Sequence, residues 1–134
     1  MIVSRLFYYL SSIPTLLVGV RNWPRMVVAF LGIAAPKPFV IRLRTGNRFL
    51  VRTPMDIWII KETCLDRQYE RVSVEIEDGW TIIDIGAGLG DFAIYAAQKC
   101  PHGTVYAYEP FPVSFSLLQE NLLLNRIRNV MVFP

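Results

Sequence analysis

The sequence predicts an α/β fold: the N-terminal half of a doubly wound parallel sheet, preceded by helices and a β-hairpin. Three stretches carry that expectation. Residues 81–85 (TIIDI) form an apolar run that leads into glycines at alternate positions, Gly86, Gly88 and Gly90, before an amphipathic stretch opens at Asp91. Residues 104–108 (TVYAY) are again rich in β-formers and end in Glu109. Residues 130–133 (VMVF) begin a third such run after the helical apolar spacing of Leu117, Leu118 and Leu122. Strand, glycine turn, helix, strand, helix, strand is the order of a parallel β-α-β-α-β unit.

Composition supports a packed domain. The 134 residues are 53% hydrophobic with a mean hydropathy of +0.36, which argues against disorder and against a nucleic-acid-binding tail. Two cysteines, Cys64 and Cys100, stand far apart and there is one histidine, His102, so no metal cluster is expected and a reduced, cytoplasmic setting is the default. The net charge of +3 hides an asymmetry. Eight basic residues and no acid precede Asp56, whereas six basic residues face eleven acids from there on. A basic, apolar front on an acidic remainder points to an anionic partner or a membrane surface.

In chain order, residues 1–38 hold two apolar runs, 6–20 and 26–35, separated by Arg21, Trp23, Pro24 and Arg25. Neither reaches the ~18 to 20 uninterrupted apolar residues of a spanning helix. The spacing predicts two short helices broken near Pro24. Tyr8, Tyr9, Trp23 and the arginines suit a membrane interface, and a helical lid packed on the domain fits equally well. Residues 39–52 (FVIRLRTGNRFLVR) alternate about Thr45-Gly46-Asn47, a hairpin signal, with Val40 or Leu43 on its apolar face. Its arginines read as a phosphate-binding ribbon or as the solvated guard of an edge strand.

Pro54 opens a predicted helix over residues 55–64 with Ile57, Ile60 and Cys64 on one face. Residues 72–76 read as a short strand closed by the Asp78-Gly79 turn. The helix over residues 91–100 is expected to place Phe92 and Ala96 against the sheet and to end at Pro101 and Gly103, leaving His102 as a surface loop residue. Asn125 is the expected left-handed cap of the helix over 113–124.

The glycine turn separates two cofactor classes. A dinucleotide fingerprint, G-x-G-x-x-G, places its third glycine at position 91 when Gly86 and Gly88 are the first two. That position is Asp91, and an acid at a helix N-terminus opposes a bound pyrophosphate. The remaining pattern, D-x-G-x-G-x-G from Asp84, resembles motif I of the Rossmann-like S-adenosylmethionine-dependent methyltransferases. Their cofactor is zwitterionic at its amino-acid end and carries a sulfonium, so nearby acids are electrostatically reasonable. Glu109, 25 residues after Asp84, stands where a strand-end carboxylate accepts ribose hydroxyls.

With their flanks, the stretches IIDIGAGLGDFAIYAA, VYAYEPFPVSFSLLQENLLLN and NVMVF look like FkbM-type methyltransferases. The resemblance spans residues 39–134, weakly at first and strongly from Trp80. It implies a Rossmann-like class I methyltransferase sheet over 39–134 behind an appended segment, 1–38, with S-adenosyl-L-methionine as cofactor. It further implies O-methylation of a sugar or another hydroxyl-bearing metabolite, without a nucleic-acid partner. On this resemblance Asp84, Gly86, Ala87 and Gly88 surround the amino-acid end of the cofactor, Glu109 and Pro110 its ribose edge, and Phe111 its adenine. Tyr69 and Glu70 are further lining candidates, with ordinary surface positions as the alternative.

No residue is assigned as catalytic base, and no metal ligand is expected. Domains of this type continue through further strands that hold the acceptor site. The expectation for a chain ending at Pro134 is therefore a cofactor-binding fragment, inactive alone and prone to self-association through an open sheet edge. The competing readings are an NAD-dependent oxidoreductase half-domain, disfavoured by Asp91, and a non-catalytic membrane-peripheral or interaction module.

Overall fold

A computed structural model describes residues 2–33, 38–72 and 75–134; the side chains of residues 2–7, 9, 10 and 72 lie outside that description. Its centre is a three-stranded parallel sheet of β3 (Thr81–Ile85), β4 (Thr104–Tyr108) and β5 (Val130–Phe133) in that order. Asp84 pairs with Ala107 and Ile85 with Tyr108, so β3 and β4 end level with each other. Helices α5 (Asp91–Lys99) and α6 (Pro112–Leu124) supply the crossovers and bury Ile94, Ala96, Leu117 and Leu118 in one core with Val105 and Ala107. The opposite sheet face carries Ile83, Ile85, Tyr108 and Met131, all exposed.

Ahead of the sheet, α1 (Ile2–Gly19) contains Pro14 without ending there. The Ser11 and Ser12 hydroxyls donate to the Tyr8 carbonyl at 3.0 and 2.7 Å, a local alternative to the regular ladder. The break falls at residues 20–22, earlier than the expected one near Pro24, which instead sits in the first turn of α2 (Trp23–Phe30), where its missing N–H costs nothing. Residues 34 and 35, the end of the predicted second run, lie outside the described residues. Asn22 stitches the break to the hairpin: its Nδ2 donates to the Val40 carbonyl at 2.8 Å and its Oδ1 accepts from the Arg42 amide at 2.9 Å.

The hairpin of β1 (Phe39–Arg42) and β2 (Arg48–Val51) pairs Phe39 with Val51 and Arg42 with Arg48. Ile41, Leu43, Phe49 and Val51 form its buried face. The expectation for Leu43 holds, whereas Val40 lies on the other, half-exposed face, as period-two alternation from Ile41 requires.

A capping box starts α3 (Pro54–Ile60): the Asp56 amide donates to Thr53 Oγ1 at 3.2 Å and Asp56 Oδ2 accepts from the Thr53 amide at 3.2 Å. The helix then loosens into a π-helical turn, Lys61–Leu65, with the Asp66 amide reaching the Lys61 carbonyl. That turn anchors α1. Lys61 is buried, with its Nζ 2.6 Å from Asp66, 2.7 Å from Ser12 Oγ and over the Tyr8 and Trp58 rings. Tyr8 donates to Glu62 at 2.6 Å. The N-terminal helices thus pack on α3 and its extension and leave the open sheet face uncovered.

Three expectations are corrected. No strand spans residues 72–76: Val72 ends α4 (Gln68–Val72), residues 73 and 74 lie outside the described residues, and 75–77 are irregular. Phe92 is only half-buried at the margin of the core, its ring centroid 4.5 Å from that of Tyr69, while Ala93, Ile94, Ala96 and Ala97 fill the buried face of α5. Asn125 keeps φ −97° because its side chain holds the β2 backbone, and Arg126 takes the left-handed conformation instead.

Candidate functional site

The carboxyl ends of β3 and β4 meet the glycine loop and the start of α5. Asp84 leaves β3 one residue before the turn, and Gly86, Gly88 and Gly90 all adopt positive φ (79°, 56° and 87°), which glycine reaches without a Cβ penalty. A Cβ at Gly86 would meet nothing within 4 Å, so the loop is open on that side. At Gly90 the requirement is steric as well: a Cβ would stand 2.5 Å from Leu118 Cδ1, which lets α6 close on the loop.

Four of the loop amides are engaged within the protein. Those of Gly86 and Ala87 donate to the Tyr108 carbonyl at 2.8 and 2.9 Å, that of Gly88 to Glu109 Oε2 at 2.7 Å and that of Gly90 to the Ala87 carbonyl at 2.8 Å. Asp91 is the first residue of α5, an acid in the helix's first turn, where the Asp91 and Phe92 amides favour its charged form. A pyrophosphate cradle needs such amides turned outward. Here they fix the loop and its acids.

Glu109 is buried and oriented from two sides, with Oε2 on the Gly88 amide and Oε1 on the Phe111 amide at 2.9 Å. Each carboxylate oxygen retains acceptor capacity beyond one such bond. Asp84 Oδ2 is buried with no hydrogen-bond partner among the described residues. Burial pushes the Asp84 carboxyl up to about 6, with the negative charges of Asp91 and Glu109 adding to the effect. Burial also raises Asp91, against the pull of the Thr63 hydroxyl that donates to its Oδ2. Three carboxyl groups crowded around one loop favour a guest that brings positive charge or hydrogen-bond donors.

The structure therefore brings together Asp84, Gly86, Ala87, Gly88 and Glu109. Ala87 turns its side chain into the core, whereas Pro110 and Phe111 stand exposed beside Glu109, Phe111 at 72%. Tyr69 is near enough for Asp91 and Asp84 to raise its hydroxyl further, after burial as the main cause. Glu70 turns away to Lys99 at 3.2 Å. His102 pairs with Asp78 at 2.6 Å, at the amino ends of the strands and thus opposite the site. Thr63 and Asn121 were not among the residues singled out in the sequence. Asn121, wholly buried, donates to the Leu89 carbonyl at 2.8 Å and accepts from the Leu50 amide at 2.6 Å, tying the loop to the hairpin. Its signal was available: a polar residue within the Leu117, Leu118, Leu122 stripe, four residues before Asn125.

Residues 42–133 match the TRM5/TYW2 methyltransferase domain. The chain belongs to that family. It carries a methyltransferase domain, in agreement with the methyltransferase resemblance of its glycine loop. Among curated relatives, it is 37% identical over 70 residues to the 31-O-demethyl-FK506 methyltransferase FkbM of Streptomyces tacrolimicus, covering 52% of this chain and 27% of that one. It is 39% identical over 64 residues to the tRNA (guanine(37)-N(1))-methyltransferase of Danio rerio, covering 47% of this chain and 13% of the relative. The solved TYW2 of M. jannaschii, in complex with AdoMet, superposes over 75% of this chain and 44% of its own with a TM-score of 0.56 at 21% identity, a likeness of fold. The chain spans about a quarter of the length of the FkbM relative.

Proposed function

We propose that this domain serves methyl transfer from S-adenosylmethionine to an oxygen of a sugar or another hydroxyl-bearing metabolite. The observation that carries the cofactor part is the carboxylate pair at the ends of β3 and β4: Asp84, with a buried oxygen lacking a donor, and Glu109, held by two backbone amides. The ammonium of the cofactor's amino-acid end supplies the donor and charge that Asp84 lacks. Gly86, Ala87 and Gly88 would leave room for its chain, Glu109, with Pro110 beside it, would accept hydrogen bonds from the ribose hydroxyls, and Phe111 would flank the adenine. The cofactor contributes an electrophilic methyl group. The protein contributes position, holding that group in line with an acceptor oxygen.

The oxygen acceptor is supported by the FkbM relative, whose name specifies an O-demethyl substrate. A second reading, methylation of a tRNA base, is favoured by the family match and by the Danio rerio relative. It reopens the exclusion of nucleic acid expected from composition, and the basic surplus before Asp56 suits it. The first reading takes 39–134 as the methyltransferase unit of a reduced, cytoplasmic protein and 1–38 as an appended segment in peripheral contact with a membrane. Among the described residues no helix is long and apolar enough to cross one.

Methyl transfer from radiolabelled S-adenosylmethionine to glycans, small hydroxylated compounds and unmodified tRNA separates these readings. Label on an oxygen acceptor supports the first reading. Label on tRNA alone replaces it with the second, and label on neither by a protein that binds cofactor overturns both.

A further inference from the structure

Where the start of α2 meets the half-exposed face of the hairpin, a cleft of about 540 Å³ is lined by Asn22, Arg25, Phe39, Val40, Arg42 and Leu50 among others. Neither Asp84, Glu109 nor any glycine of the loop belongs to its wall. That volume lies within the range of roughly 300 to 1,000 Å³ typical of small-molecule sites. Val40 and Leu50, paired across the strands, and Phe39 make the wall partly apolar. Asn22 turns both of its side-chain polar atoms to the Val40 carbonyl and the Arg42 amide, so the charged donors of the wall are the guanidinium groups of Arg25 and Arg42.

Both arginines are held in place without an acid. Arg25 lies over the Phe39 ring, 5.0 Å from its centroid, a stacking contact that leaves its N–H groups for another partner. Arg42 faces Arg48 across the hairpin. The backbone groups of this pair point outward, those of Arg42 to Asn22 and the Arg21 amide and those of Arg48 to Asn125. Cross-strand side chains stand closest in such a pair, and like charges there repel. Among the described residues the ion pairs involve Arg52, Lys61, Lys99 and His102 and none of these arginines. Guarding an open strand edge does not account for them, because asparagine side chains already hold the outer edges of both strands, Asn22 on β1 and Asn121 and Asn125 on β2. We infer that the cleft binds a small phosphorylated compound, its phosphate monoester between Arg25 and Arg42 and its ring or hydrocarbon part on Phe39, Val40 and Leu50. A guanidinium fork matches phosphate oxygens two at a time, and a dianion offsets the repulsion that the hairpin builds in. A concave wall of this size favours a small molecule over the long charged track that a nucleic-acid backbone requires.

Phenyl phosphate is the test ligand, with a ring for the apolar wall and a phosphate for the two arginines. Calorimetry on the full chain should show saturable binding near neutral pH that weakens below about pH 6, where the phosphate takes up a proton. Inorganic phosphate should bind more weakly for want of the ring. Arg25→Gln and Arg42→Gln should each weaken phenyl phosphate roughly tenfold or more, as loss of a charged hydrogen bond does, whereas Arg44→Gln, outside the wall, should change it by less than about twofold. Arg25→Lys keeps the charge, loses the planar fork and should weaken binding as well, which holds the test open if a glutamine variant fails to fold. No saturable binding would overturn the site, and an equal loss in Arg44→Gln would reduce it to diffuse surface charge and overturn it too. Inorganic phosphate binding as tightly as phenyl phosphate would overturn the role of the apolar wall. Arginine-dependent binding of a short oligouridylate without terminal phosphates, or of phosphatidylglycerol vesicles, with none of phenyl phosphate, would overturn the inference by giving the arginines to a nucleic acid or a membrane.

Discussion

Glu109 and Asp84 divide the work at the site, and each gives a separable signature. Glu109 is an acceptor positioned by the Gly88 and Phe111 amides. Glu109→Ala should weaken binding of S-adenosylhomocysteine by about 1.5 to 3 kcal/mol, roughly 10- to 150-fold, since hydrogen bonds to a charged group are worth that much. Calorimetry on a variant with native far-UV and near-UV circular dichroism checks it, and an unchanged affinity would remove Glu109 from the site. Asp84 should appear in the pH profile. Its carboxyl, raised to about 6 chiefly by burial, is protonated more readily in the folded protein than in the unfolded chain. Its contribution to stability is therefore present below the unfolded value near 4 and is lost as pH rises through about 6. Ligand affinity runs the other way, rising between pH 5 and pH 7 as the carboxylate that pairs with the ammonium forms. Asp84→Asn should flatten both profiles, and a wild-type affinity independent of pH over that range would contradict the assignment.

At the scale of the elements, α6 is held by more than its leucines. Asn121 and Asn125, one turn apart, bond the backbone of β2 at Leu50 and Arg48, so the helix pairs with the edge of the hairpin as a strand would. Asn121→Ala should cost at least about 1 to 3 kcal/mol, the penalty for a buried backbone group left without a partner, and should lower the melting temperature by several degrees. A melting temperature unchanged in a calorimetric scan would contradict that role. These contacts mark the limit of what the sequence makes legible. The strands, the glycine turn and the acids Asp84 and Glu109 could be read because periodicity and turn chemistry are local. The clamp of Asn121, the Thr63 bond to Asp91 and the fit of Gly90 under Leu118 join residues 28 or more apart, and no local pattern encodes them. Asn125 caps α6 where expected but without the left-handed conformation, for the same reason: that tendency yields to a long-range bond with Arg48.

For the whole molecule, the sheet presents Ile83, Ile85, Tyr108 and Met131 on one face, and among the described residues β3 pairs with β4 alone. An open edge beside an apolar face predicts concentration-dependent association of this chain. Sedimentation velocity should show it, and Ile85→Lys should reduce it; a monomer at all concentrations would contradict it. The central claim is that the loop from Asp84 to Asp91 and the acid at Glu109 select S-adenosylmethionine over a dinucleotide, because the Gly86, Ala87, Gly88 and Gly90 amides are engaged internally and the acids remain. Isothermal titration calorimetry of the protein with S-adenosylhomocysteine and with NAD tests it most directly. The account predicts saturable binding of S-adenosylhomocysteine and none of NAD; saturable binding of NAD with none of S-adenosylhomocysteine would contradict it.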